Sequence, residues 1–96
     1  MRQFLLIVEM EERRFLITAL PNKFHVQIFV GKDEKLSQYW RRDSFKNLIA
    51  SVRNMQLAMN TERFGKYSLY ITSDDYDEPL LLEDDASFTQ AILAFG

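Results

Sequence analysis

The spacing of hydrophobic residues changes once in the middle of the chain, and that change constrains the fold more than any other feature. Phe24, Val26, Ile28 and Val30 alternate with His25, Gln27 and Phe29, the period-two pattern of a half-buried strand. From Phe45 the spacing widens. Phe45, Leu48, Ile49, Val52, Met55, Gln56 and Met59 fall on one side of a helix, with Gln56 as its polar exception. Strand-type runs recur on both flanks: Arg2 to Met10 and Arg13 to Leu20 before, then Tyr67, Leu69 and Ile71, and Leu80 to Leu82, after. Phe88, Ala91, Ile92 and Phe95, at i, i+3, i+4 and i+7, define a shorter C-terminal helix. The pattern predicts an α+β fold: a small, mostly antiparallel sheet with an N-terminal hairpin, one long amphipathic helix and one short C-terminal helix.

Local signals set the boundaries. Glu11-Glu12 joins the first two runs into a hairpin, which Pro21-Asn22 ends because proline lacks the ladder donor. Gly31 to Lys35 turns the chain into Leu36 to Trp40, giving a second hairpin. Asp43 or Ser44 is a suitable N-cap for the long helix and Asp84 or Asp85 for the short one. Asn60 to Gly65 reads as a loop. The 96 residues form one domain, with 1–22 as the hairpin and 23–96 as the remainder. At 47% hydrophobic and 14% aromatic residues, the chain is too apolar for a disordered tail.

Several chemistries lack their parts. Without cysteine there is no disulfide framework, thiolate nucleophile or sulfur-ligated metal, which suits a reducing, cytoplasmic setting. Three glycines, Gly31, Gly65 and Gly96, cannot build a phosphate-cradling loop. His25 is the one histidine and reads as a half-buried structural side chain on a strand. Phe4 to Val8 is too short for a membrane span or a signal core before Glu9 interrupts it. No cofactor, metal or enzymatic activity is expected. Asp75-x-Asp77 could offer a calcium ion two oxygens, but the spaced ligand series of a calcium loop is missing.

Charge carries the functional signal. All 12 Lys and Arg lie at or before Lys66, with seven acids, so that segment carries 12 − 7 = +5. The last 30 residues carry seven acids and no base: Asp74, Asp75, Asp77, Glu78, Glu83, Asp84 and Asp85. Folding is expected to concentrate these into one field that seeks a basic surface. Helix capping accounts for Glu83-Asp84-Asp85, whereas Asp74 to Glu78 has no such local role. Tyr70 and Tyr76 are the candidate aromatic anchors beside them. On the basic side, Arg42, Lys46 and Arg53 recur at spacings of four and seven, which predicts a solvent-facing stripe, with Arg41 at its head. Arg41 and Arg42 beside Tyr39 and Trp40 could also be read as a nucleic-acid patch, but the net charge of −2 argues against direct nucleic-acid binding and against anionic membranes.

From Lys23 onward, the order strand, strand, amphipathic helix, strand, acidic turn, short strand, helix resembles the ubiquitin-like Phox/Bem interaction domain. The closest likeness runs from Asp75-Tyr76-Asp77-Glu78-Pro79-Leu80-Leu81-Leu82 through Glu83-Asp84-Asp85-Ala86-Ser87-Phe88 to Ala91-Ile92. The resemblance implies that the acidic motif docks on a basic cluster of another domain, with Arg41, Arg42 and, more weakly, Lys23 at the position of such a cluster. Pro79 and the apolar Phe24-His25-Val26 depart from the family pattern, and residues 1–22 lie outside it. The resulting expectation is a non-catalytic interaction module whose acidic face meets a basic surface on a partner protein or on another copy of itself. The alternative is a small nucleic-acid-mimicking inhibitor, of the phage-borne anti-CRISPR or anti-nuclease type, that fills the nucleic-acid groove of a target enzyme.

Overall fold

The computed structural model describes residues 12–60 and 65–96. Three strands come first: Arg13–Ala19 (β1), Lys23–Val30 (β2) and Asp33–Arg41 (β3). A 3-10 turn, Arg42–Ser44, leads into the helix Phe45–Met59 (α1). Ser68–Ser73 (β4), the two-residue strand Leu80–Leu81 (β5) and the helix Asp85–Phe95 (α2) complete the chain. The architecture is α+β, as the two periodicities predict. Arg2 to Met10, the predicted first arm of an N-terminal hairpin, lies outside the described residues.

The sheet order is β3-β2-β1-β4-β5. β1 is therefore central, antiparallel to β2 and parallel to β4. Residues before Lys23, which the family resemblance leaves outside its pattern, thus supply the middle of the sheet. Pro21-Asn22 forms the corner between β1 and β2, closed by the Leu20 amide donating to the Lys23 carbonyl at 2.9 Å. That corner makes β1 the hairpin partner of β2. The second hairpin is tighter than the sequence suggested, with Val30 paired to Asp33 across Gly31-Lys32. Gly31 has φ 60°, which a two-residue primed turn requires at its first position and which glycine adopts without steric cost. The register slips between Ile28 and Phe29, leaving Lys35 as the extra residue of a bulge on the edge strand β3.

Both helices cover one face of the sheet. Phe15, Ile17, Phe24, Val26, Leu69 and Ile71 point from β1, β2 and β4 into one buried cluster with Phe45, Leu48, Val52, Leu82, Ala91 and Phe95. Burying each large side chain of this set is worth about 1.5–3 kcal/mol, which is what holds the helices to the sheet. The polar exception on α1 is structural. Gln56 is buried, and its Nε2 donates to the Tyr67 carbonyl at 2.8 Å, while the Tyr67 amide donates to Asn60 Oδ1 at 2.7 Å. These two bonds tie the end of α1 to the start of β4. The Gln56 Oε1 is buried without a hydrogen-bond partner.

Ser44 occupies the N-cap position of α1 as predicted, but it makes no side-chain capping bond. Its hydroxyl instead donates to Asp43 Oδ1 at 3.3 Å, and its backbone, at φ −112° and ψ 27°, is not the extended one from which a cap reaches the helix amides. At α2 the predicted cap is made. Asp84 accepts from the Ser87 amide at 2.8 Å, and the Asp84 amide donates to Ser87 Oγ at 3.1 Å, a reciprocal capping box.

Candidate functional site

The turn from Asp74 to Pro79 links β4 to β5, and Glu83-Asp84-Asp85 links β5 to α2. All seven carboxylates are exposed, and none forms an ion pair among the described residues. They do not form one field. Asp84 and Asp85 stand at the N-terminal end of α2, whereas Tyr76 carries the other turn to its C-terminal end, with its ring 5.5 Å from that of Phe95. The 11 residues of α2 put roughly 16 Å between the two groups, about twice the screening length at physiological salt. β5 runs antiparallel to β4 and α2 returns alongside it, so acids that are close in sequence are parted by a helix length.

The two groups differ in what holds them. At the N-terminal end, the Ser87 amide and then its hydroxyl hold the Asp84 carboxyl below its usual value of 3.8. Asp85 adds charge in the first turn, where the helix dipole favours it. Asp74, Asp75, Asp77 and Glu78 have no such role, since acids beside a helix C-terminus oppose its dipole. The backbone of this turn is anchored, the Asp75 amide donating to Ser73 Oγ at 3.2 Å and the Tyr76 amide to the Ser73 carbonyl at 3.1 Å.

The aromatic candidates separate as well. Tyr76 is half-buried on Phe95, fixing the turn to α2. Tyr70 alternates with the buried Leu69 and Ile71 and so faces the opposite side of the sheet, beside Leu16 and Leu81. One partner element cannot use both.

The predicted basic stripe is not a solvent-facing one. Arg42 lays its guanidinium 4.5 Å from the centre of the Phe24 ring and donates from Nη1 to the Phe95 carbonyl at 3.0 Å, capping the C-terminus of α2. Arg53 lies 4.6 Å from the centre of the Phe88 ring. Spacing on a helix fixes azimuth, but a long side chain can fold its stem back over apolar surface and bring its charge to a carbonyl or a ring. Arg41 and Lys46 remain exposed. Arg41 lies opposite Lys23, whose ammonium sits 4.3 Å from the Tyr39 ring centre. Tyr39 faces outward and Trp40 is half-buried toward the core, so the pair does not form a stacking platform for bases.

Strand pairing also brings together a pair that the sequence separates. His25 Nε2 lies 2.7 Å from Ser37 Oγ, and the His25 ring stacks on Tyr39 at 4.4 Å with 12° between planes. No serine lies near His25 in sequence; only the β2–β3 register reveals one. The pair stands on the face of the sheet away from both helices, where the Tyr39 stack and the hydroxyl give the imidazole a structural setting. Among the described residues, no group of three or more His, Asp or Glu side chains is arranged to hold a metal ion. No described helix is long and apolar enough to cross a membrane. No protein-family model, curated protein or solved structure matches the chain.

Proposed function

We propose that the protein is a non-catalytic interaction module whose acidic turn docks on a basic surface of a partner protein. The observation that carries this reading is the state of Asp74, Asp75, Asp77 and Glu78: exposed, without ion pairs among the described residues, and at the end of α2 where the dipole opposes negative charge. The half-buried Arg42 lines the same hollow as Asp74 and Asp75 but makes no ion pair with either, so the four carboxylates keep much of their mutual repulsion, which a cationic partner would offset. Complementary charge of this kind raises association rate and specificity more than it raises affinity.

A second copy of the chain is the weaker partner. Of the four predicted basic residues, Arg42 and Arg53 are already engaged on Phe24, Phe95 and Phe88, leaving Arg41 and Lys46. The test uses wild-type protein and an Asp75→Asn/Asp77→Asn/Glu78→Gln variant as baits in native extract, with light scattering of each at low and high salt. The reading expects a protein retained by wild type, released by salt and absent from the variant. Displacement of that protein by duplex DNA or RNA would favour nucleic-acid mimicry instead. Identical capture by both baits would refute acidic docking. Mass that rises with concentration and falls with salt would make the partner a second copy.

A further inference from the structure

Resting on that reading, we infer that the outer side of α2 is the seat for an amphipathic helical segment of the partner, apolar along its middle and basic toward both ends. The inward positions of α2 are Phe88, Ala91, Ile92 and Phe95. The outward ones, Ala86, Thr89, Gln90, Leu93 and Ala94, are exposed and carry no charge. A surface helix ordinarily turns charge to water; here Thr89 and Gln90 are the polar residues of the outer side, and Leu93 with the two alanines makes up the rest. Leu93 is 82% exposed, more than Tyr39 at 60% or Leu57 at 55%. It does not stand alone, because Tyr76, Asp85, Ala86, Thr89 and Ala94 line one shallow hollow with it.

The electrostatics specify the occupant. The hollow contains no basic residue, Asp85 lies at one end, and the turn bearing Asp75, Asp77 and Glu78 flanks Tyr76 at the other. The result is an uncharged strip, with Leu93 and Tyr76 as its large side chains, bounded by negative charge at both ends, which is the core-and-rim anatomy of an interface. From Ala86 to Ala94 the strip is roughly 12 Å long, enough for two turns of a packed helix. Small Ala86, two turns before Leu93, and Ala94 beside it admit a close approach, with Leu93 as the knob. Nucleic acid and anionic lipid would be repelled by the same rim.

The probe is a synthetic peptide of about four helical turns, with leucines along one face and lysines elsewhere, including both ends. Its control has the same composition, scrambled so that the leucines fall on all sides. Both are titrated into the full chain by calorimetry and by amide chemical shifts. The amphipathic peptide should bind wild type about tenfold or more tightly than the scramble and shift amides along Ala86 to Ala94. Leu93→Ser, at an exposed position, should melt like wild type and lose that preference while keeping the weak, salt-sensitive binding of the scramble. Equal binding of the two peptides, or a preference unchanged in Leu93→Ser, would overturn the assignment of α2 and leave acidic docking standing. If Asp75→Asn/Asp77→Asn/Glu78→Gln binds both peptides as wild type does, the acidic reading itself fails. Absence of binding by either peptide would overturn both.

Discussion

Replacing Arg42 separates a half-buried structural cation from a free binding one. Its guanidinium donates to the carbonyl that ends α2, and a hydrogen bond from a charged donor is worth about 1.5–3 kcal/mol. The Phe24 ring beneath it adds roughly 0.5–1 kcal/mol at a half-buried site. Solvent screening lowers the sum, so Arg42→Ala should cost about 2–3 kcal/mol. For a domain of this size, that is a fall in Tm of roughly 10–20 °C. Arg42→Lys should lie between, because an ammonium keeps the charge but loses the planar stack. Arg41→Ala, one residue away but exposed, should stay within about 0.5 kcal/mol of wild type. Urea unfolding followed by far-ultraviolet circular dichroism measures all three, with a constant m-value confirming that the unfolded states match. Equal stability of Arg41→Ala and Arg42→Ala would refute the argument and restore the solvent-facing stripe predicted from helical spacing.

Two further outcomes follow from named contacts. Asp84 titrates lower in the folded state than in the unfolded one, so its capping contribution is complete above the ordinary carboxyl range and disappears as pH falls through the folded value. Asp84→Asn, whose cap does not titrate, should therefore lose less stability than wild type on acidification below about pH 4, a difference visible in parallel thermal melts. Gln56→Ala should destabilise by about 1–3 kcal/mol in urea unfolding, because the Tyr67 carbonyl loses its donor at a site water reaches poorly.

What the sequence reveals and conceals follows from the range of the interactions. The alternation from Phe24 to Val30 and the helical face from Phe45 to Met59 depend on neighbouring residues, and they match strand and helix in the structure. Asp84 was legible for the same reason, its cap being completed three residues away by Ser87. The place of β1 was not, since its parallel pairing joins Arg14 to Ser68 across half the chain. Adjacency in sequence also misled at the acidic run, where the two-residue strand β5 returns the chain and α2 divides the carboxylates. At Arg53, helical spacing gave the direction of departure from the backbone but not the ring on which the side chain ends, and Arg42 lies in the 3-10 turn ahead of the helix, where that spacing does not hold. The exposed Leu93 went unread, because the sequence pattern followed only the inward positions of α2 and the turn that places Tyr76 beside Leu93 is a matter of the fold.

Amide chemical shifts recorded during titration with a short oligolysine test the central claim most directly, because Asp33, Glu34 and Asp43 serve as internal controls elsewhere on the surface. If the acidic turn is a docking face, low-salt shifts concentrate at Asp74 to Glu78, weaken with added salt as screening requires, and vanish there in Asp75→Asn/Asp77→Asn. Shifts spread evenly over every exposed carboxylate would make the turn an ordinary solvated loop and contradict the account.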